Sequence, residues 1–281
     1  MLNYCKGNLR RTNSTCDYGI EFVTRKAQRL LKQSNLSGPP FLPERLAPLQ
    51  RIKRIIREDL GNLSGILLPV QDGFEIKINA THSPQRQNFS CAHEIAHTFF
   101  FEEEGKVVIE RLKRGKGGSA NWEEYLCDIA ASELLMPLQT FRGYASRYNF
   151  GIHSLIPLSR IFNTSISPTA LRLCDVNPIQ CFVVYWERDE LKELGDSKLR
   201  AAWLTWSRMR LSPKTGRFHF NPKLSGEFPS VLKAYSSDTP TYARQWSGVG
   251  NFRGNCRLCS QAFGIGSDRF VISLVFPECD N

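Results

Sequence analysis

The sequence lacks long hydrophobic runs. No stretch approaches the ~20 consecutive apolar residues with which a helix crosses a bilayer, so we expect no membrane partner. The start of the chain, Met1 to Lys6, also lacks the apolar core of about 7–15 residues found in secretory signal peptides. Together these absences argue against membrane and secreted proteins and predict a cytoplasmic location.

Internal repeats and low-complexity tracts are missing too, so we expect an ordinary globular protein. With 281 residues, of which 41% are hydrophobic and 23% charged, the chain can form one large domain or two of average size. It has nine cysteines, and this odd number in a chain without an export signal favours reduced thiols over a disulfide framework.

Acidic residues are fewer than basic ones, 27 against 37, which gives a net charge of +10. The imbalance is strongest at residues 198–257, where Glu227 and Asp238 are the only acids among eleven Lys or Arg and several aromatics. Such a segment can bind nucleic acid through phosphate contacts and base stacking. Because the charge is spread over presumed strands and not gathered on one recognition helix, we favour a β-rich domain with an aromatic core.

Histidine is scarce, with five in the chain, yet two of them form the pattern His93-Glu94-Ile95-Ala96-His97. On a helix, residues four apart lie on one face with Cβ atoms ~5–6 Å apart, so both imidazoles can bind one zinc ion. Glu94 is then placed to accept a proton from a metal-bound water during attack on a peptide carbonyl. The alternative is a pair of ordinary histidines on an amphipathic helix.

The helix that carries this pattern is predicted to start at Asn88 or Ser90, either of which can cap its N-terminus. We expect it to end at residues 104–105. Its apolar side is formed by Ile95, Ala96, Phe99 and Phe100.

A catalytic zinc needs a third protein ligand and one position open to water. Residues 121–137 predict a second helix, stopped by Pro137, on which Glu124 and Asp128 are four apart. We assign Glu124 as the third ligand and Asp128 as the acceptor for the other ring N–H of a ligand histidine. Glu123 is a competing ligand, although no acid follows it four residues later. Two solvated acids on a helix face are the alternative reading.

At these residues the chain resembles the ImmA/IrrE family of metallo-endopeptidases. The matching segments are 86–97, 124–128 and the run 130–137, which ends in Leu-Leu-Met-Pro, and the resemblance extends over about residues 27–173. It implies a thermolysin-like site with zinc held by His93, His97 and Glu124 and with Glu94 as general base. Two features depart from the family pattern: Cys127 replaces a usual alanine, and residues 111–118 are a basic insertion.

The resemblance also implies a substrate and a way of binding it. The substrate would be a helix-turn-helix transcriptional repressor, cleaved to derepress mobile-element or stress-response genes. It would add as an extended strand along residues 74–81, and the metal would be Zn²⁺, with Mn²⁺ or Co²⁺ able to use the same donors. Two alternatives stay open: a non-proteolytic regulator or DNA-binding protein that acts through the basic C-terminal domain, and a module in which zinc is only structural.

The residue that stabilises the oxyanion is not fixed by the sequence. His82 is one candidate because it lies close in sequence to the predicted strand, and Tyr125 is another. Tyr144, Tyr148 and His153 are further candidates for the same task.

The predicted fold is α+β, with a mainly helical zincin-like protease domain that has a small sheet, followed by a mostly antiparallel β domain. We divide it into an arm (1–17), a metallopeptidase domain (18–174) and a β-rich domain (175–281) that serves as a sensor or docking module. Helices are expected at 19–33 and 43–58, and a hairpin turning at Asp72-Gly73 within 65–79. The last domain is expected to contain strands at 181–186, 199–206, 217–220 and 270–276 and a helix near 230–235.

Two further patterns have ordinary explanations. Residues 154–173 resemble a helix-turn-helix, which we interpret as packing within the protease region. Cys256 and Cys259 form half of a zinc site without a second half, so we expect two buried thiols.

Overall fold

The computed structural model describes residues 14–102, 104–108, 122–179, 181–188, 199–206, 229–237, 239–247, 254–265 and 268–277. The predicted strand at 217–220, the basic insertion at 111–118 and most of the predicted arm lie outside these residues. The described chain forms two compact units. The first contains the residues up to Phe141 together with Leu158–Ser165, and the second contains Arg142–Pro157 and the residues from Ile166 onward.

Eight α-helices whose bounds are fully described are interspersed with short 3₁₀ turns, and residues 104–108 are helical as well. The eight are α1 (Ser14–Gln33), α2 (Pro43–Leu46), α3 (Pro84–His97), α4 (Trp122–Leu135), α5 (Leu138–Ala145), α6 (Leu155–Phe162), α7 (Ile166–Val176) and α8 (Pro229–Ser236). None of them combines the length and the apolar character needed to cross a membrane.

A three-stranded sheet in the first unit contains β1 (Ile52–Glu58), β2 (Gly65–Val70) and β3 (Gly73–Asn79). The strand order is β1-β3-β2, with β1 parallel and β2 antiparallel to β3. The predicted hairpin is confirmed: Val70 pairs with Gly73, and Asp72 in the turn has a left-handed φ of 58°.

The helix predicted at 43–58 is wrong in its second half. After α2 and one 3₁₀ turn (Ala47–Gln50), Arg51 takes a left-handed φ of 57°, which stops the helical path. The isoleucines that follow are β-branched and favour the extended conformation, and the segment pairs with β3 as β1. The spacing of the leucines and isoleucines therefore resembles the apolar face of one helix, although these residues belong to α2 with its 3₁₀ turn and to β1.

The sheet order also corrects the expected path of the substrate. A peptide was predicted to add along residues 74–81, but β3 is the central strand, and both of its hydrogen-bonding edges are occupied by β1 and β2. That prediction is wrong, because strand addition requires an unpaired edge. Among the described strands, β1 and β2 each pair with β3 alone, and of these two edge strands β2 is the one that packs with α3.

Helices α3 and α4 pack against each other, and α1 packs against α4. Helices α3 and α4 each carry small residues with no exposed surface, among them Ala92, Ala96, Ala130 and Ala131. Small side chains let helix axes approach closely. The alanines therefore bring the polar faces of α3 and α4 within reach of each other.

Helix α3 starts earlier than predicted and ends earlier as well. Ser83 caps it by accepting a hydrogen bond from the Arg86 backbone N–H at 3.4 Å, and Pro84 occupies the first turn, where its missing N–H costs nothing. Asn88 and Ser90, the predicted caps, lie inside the helix. The chain continues past His97 as a 3₁₀ turn (Thr98–Phe100), so the end predicted at 104–105 is wrong.

The second unit is built on a five-stranded antiparallel sheet, which confirms the α+β class. Its strands are β4 (Phe182–Arg188), β5 (Leu199–Trp206), β6 (Thr241–Ser247), β7 (Gly254–Phe263) and β8 (Phe270–Pro277), in the order β5-β4-β8-β7-β6. Helix α8, predicted near 230–235, packs on β6, β7 and β8. Val231 and Ala234 of α8 join Phe182, Val184 and Trp186 in one buried cluster.

Cys256 and Cys259 are both buried in β7. Residues three apart in a strand face opposite sides of the sheet, and Cys256 lies in the cluster under α8. The two thiols therefore do not face one common ion. This agrees with the prediction that they are two ordinary buried thiols.

Candidate metal centre

The histidines of α3 form a pair on its face toward α4. Their ring centroids are 5.0 Å apart, and their side chains are 16% and 17% exposed. The Glu124 carboxylate lies across both rings, with Oε2 3.1 Å from His93 Nε2 and Oε1 3.5 Å from His97 Nε2. Two imidazole nitrogens and a carboxylate thus converge between the two helices. Along the chain, His93 and Glu124 are 31 residues apart.

The other ring nitrogens also face carboxylates. His93 Nδ1 lies 3.0 Å from Asp128 Oδ1, and His97 Nδ1 lies 2.9 Å from Glu123 Oε1. A carboxylate at Nδ1 favours the tautomer that carries its proton there, which leaves the Nε2 lone pair for a ligand. Each histidine is therefore oriented by its own acid.

Sequence reasoning placed Asp128 beside a histidine, and the structure brings it to His93. It treated Glu123 only as a rival of Glu124 for the metal, whereas Glu123 lies at the Nδ1 atom of His97. One signal could have indicated this contact: two ligand histidines need two acceptors, and Glu123 is an acid on the same turn as Glu124.

The charges around His93 change its titration. Burial lowers the pKa of His93, but the hydrogen bond and charge of Asp128, with the charges of Glu94 and Glu124, raise it to a net value above the ordinary range. The electrostatic potential at the centre is thus strongly negative. It favours the binding of a cation, whether a proton or a metal ion.

Glu94 lies under strand β2. Its side chain is buried, and burial raises the pKa of the carboxyl above its usual range, opposed by His97, His93 and a hydrogen bond from the Leu67 backbone N–H. A carboxylate with a raised pKa is a better proton acceptor near neutral pH. Gly65 lies against it, because a Cβ there would come within 2.9 Å of Glu94 Oε1.

Cys127 lies one helical turn after Glu124 on α4 and is fully buried. Its Sγ and one ring nitrogen each of His93 and His97 all lie within 4.8 Å of one another. Burial raises the pKa of the Cys127 thiol far above its ordinary range, and the neighbouring acids act in the same direction. Cys127 departs from the family pattern in sequence, but its position close to the histidines was not predicted.

The predicted oxyanion residues are not singled out by their contacts. His82 is half-buried, its Nδ1 has no hydrogen-bond partner among the described residues, and burial with the Arg86 charge lowers its pKa. The Tyr125 ring packs edge-on against Trp122, 5.8 Å between centroids. Both roles stay predictions.

The family comparison covers the segment that holds this cluster. Residues 54–173 match the Peptidase_M78 family, the IrrE N-terminal-like domain. The matched range includes α3, α4 and every residue described around the two histidines. Residues 54–173 belong to the IrrE N-terminal-like domain family.

The fold has a counterpart among solved structures. A Mycobacterium tuberculosis transcriptional regulator matches with a TM-score of 0.60 at 14% identity, over 93% of this chain and 94% of that one. At this identity the likeness is one of fold. No curated protein sequence matches the chain significantly.

The donors in the IrrE N-terminal-like domain fit a divalent metal ion, as its metallopeptidase family implies. Two Nε2 atoms and a carboxylate are the donor set of a catalytic zinc site. Their Nδ1 partners supply the orientation that such ligands need.

We expect Asp128→Asn and Glu123→Gln each to weaken zinc binding by roughly 10–100-fold, because each variant no longer fixes the tautomer of one histidine. Titration of zinc against a competing chelator measures the effect. Glu104→Gln, which changes an exposed acid paired with Arg25, is the matched control and should bind as the unmodified protein does. Unchanged affinity in both variants would show that these acids do not orient metal ligands.

Proposed function

We propose that the IrrE N-terminal-like domain is a metal-dependent endopeptidase that hydrolyses peptide bonds of a protein substrate. The observation that carries this proposal is the convergence of both Nε2 atoms on Glu124 beside the buried carboxylate of Glu94. A purely structural metal site does not require a further carboxylate, such as that of Glu94, that can act as a base beside the three ligands. Mass spectrometry of proteins that are shortened when the chain is expressed, and intact when Glu94 is changed, tests it.

His93, His97 and Glu124 would hold the ion. Zinc held there would polarise the scissile carbonyl and lower the pKa of its water toward about 7. Glu94 accepts the proton of the attacking water and returns it to the leaving amine. The Leu67 N–H and the neighbouring Gly65 keep the Glu94 carboxylate in place for both transfers.

The substrate would bind along β2 and not along β3. The outer edge of β2 has no partner strand among the described residues, and α3 packs against this strand. An extended peptide can add to such an edge through backbone hydrogen bonds. Pro69 has no N–H, and the Leu67 N–H is bonded to Glu94, so neither residue donates a backbone hydrogen bond to such a peptide.

Gly65→Ala should lower kcat by about 10–100-fold and leave metal affinity unchanged. The new methyl group would displace the Glu94 carboxylate, and a shift of ~1 Å at a catalytic group can cost that much. Steady-state kinetics and zinc titration separate the two effects. The control is Gly38→Ala, because a Cβ at Gly38 meets nothing within 4 Å. A normal kcat for the Gly65 variant would mean that β2 does not position the base.

For the substrate we propose a helix-turn-helix transcriptional repressor in the cytoplasm. Support comes from the sequence resemblance, which implies such a substrate. A repressor encoded beside this gene is the first candidate. It should be cut when incubated with the zinc-loaded protein and stay intact when a chelator is added.

A non-proteolytic regulator on the same fold is the second candidate. The net charge of +10 and the transcriptional regulator of like fold favour it. Binding to DNA through residues 198–257 would be weakened by salt and would survive Glu94→Gln. Such binding without any peptide cleavage would replace the peptidase proposal.

A further inference from the structure

Two side chains on α4, those of Glu124 and Cys127, lie close to the histidine pair. Glu124 and Cys127 are three residues apart and so lie on one face of the helix. They differ in environment, since the Glu124 side chain is 59% exposed and Cys127 is fully buried. The carboxylate is thus open to solvent, whereas the thiol lies within the core.

We propose that Cys127 is a fourth protein ligand of the metal, which binds through its thiolate. This inference rests on the metal site of the proposed function. On binding, the Sγ–H bond breaks, the proton passes to solvent, and a sulfur lone pair forms the bond to the ion. The resulting donor set is two imidazoles, one carboxylate and one thiolate.

The distances support this assignment. The sulfur and a nitrogen from each histidine lie within 4.8 Å of one another. In a tetrahedral zinc site with Zn–S and Zn–N bonds of about 2.3 Å and 2.0–2.1 Å, sulfur and nitrogen lie about 3.5 Å apart. A contraction of at most ~1.3 Å therefore brings the three atoms to bonding positions.

The thiolate changes what the site selects and how it works. Sulfur is a soft ligand that favours zinc or cobalt over manganese and magnesium. A fourth protein ligand would take the position that a catalytic zinc leaves open, so the attacking water would have to add as a fifth ligand or displace one of the four. Cys127 should therefore tighten zinc binding and restrain peptide cleavage.

Cobalt(II) spectroscopy on the full chain tests this assignment. The Co²⁺-loaded protein should show a sulfur-to-cobalt charge-transfer band, absent in Cys127→Ser and Cys127→Ala and kept in Glu124→Gln. Zinc affinity should fall at least as far in the two Cys127 variants as the roughly 10–100-fold lost when a residue that orients a ligand histidine is changed. Cys91→Ala is the matched control, because Cys91 is also buried, on α3, and is not part of the histidine group.

The outcomes separate this inference from the proposed function. No charge-transfer band, with zinc binding and cleavage by Cys127→Ser equal to those of the unmodified protein, would overturn the thiolate ligand and leave the peptidase standing. A band with no cleavage of any protein would support the thiolate ligand and count against the peptidase. Failure of the unmodified protein to bind Co²⁺ would overturn both.

Discussion

Changing Glu94 to Gln should remove peptide cleavage while the metal stays bound. The amide keeps the size of the side chain but cannot accept a proton from water, so the general base is lost. General bases contribute about 10²–10⁴-fold to rate, and the expected fall in kcat is of that size. Metal binding should persist because Glu94 is not placed as a ligand: its buried carboxylate is held by the Leu67 N–H of β2.

Two measurements on purified protein check this prediction. New protein N-termini are counted by mass spectrometry after incubation with a candidate substrate, and bound zinc is measured by elemental analysis. Glu104→Gln serves as the control, since it removes a carboxylate that is exposed and paired with Arg25. Cleavage by the Glu94 variant at an undiminished rate would rule out the proposed mechanism.

His97→Ala and His93→Ala should abolish zinc binding and cleavage and leave the protein folded. The histidines lie at the edge of the α3–α4 contact with partly exposed side chains, while the surrounding core is made by buried residues such as Ala92, Ile95 and Leu126. We expect that core to persist when the ion is lost. A structural zinc site behaves differently, because loss of its metal unfolds the domain.

Circular dichroism and urea unfolding, measured beside zinc content, decide between these two kinds of site. His153→Ala is the control, because His153 lies in the other compact unit and its Nε2 contacts the Tyr148 carbonyl. An unfolded His97 variant, with the His153 variant intact, would favour the structural-zinc module over the enzyme.

Much of the candidate site could be predicted because its residues recur at the four-residue spacing of a helix. His93 and His97, like Glu124 and Asp128, are four residues apart, and each pair needs only its own helix to share a face. Pro137 marked the end of the second helix, which indeed stops at Leu135. Local rules were sufficient for these features.

What failed depends on contacts between distant segments. Ile52 to Glu58 is read as helix by spacing and becomes β1 because β3 offers a parallel partner. The central place of β3, which moves the expected peptide site to β2, is a property of sheet order and not of any one strand. Likewise the contact of Glu123 with His97 depends on how α3 and α4 face each other.

Diffraction data collected on both sides of the zinc absorption edge, from crystals of the zinc-loaded protein, test the central claim most directly. The account predicts one anomalous peak per chain between α3 and α4, bonded to His93 Nε2, His97 Nε2 and Glu124, with Glu94 beside it and unbound. A peak at other side chains, or none in a crystal soaked with zinc, would contradict it.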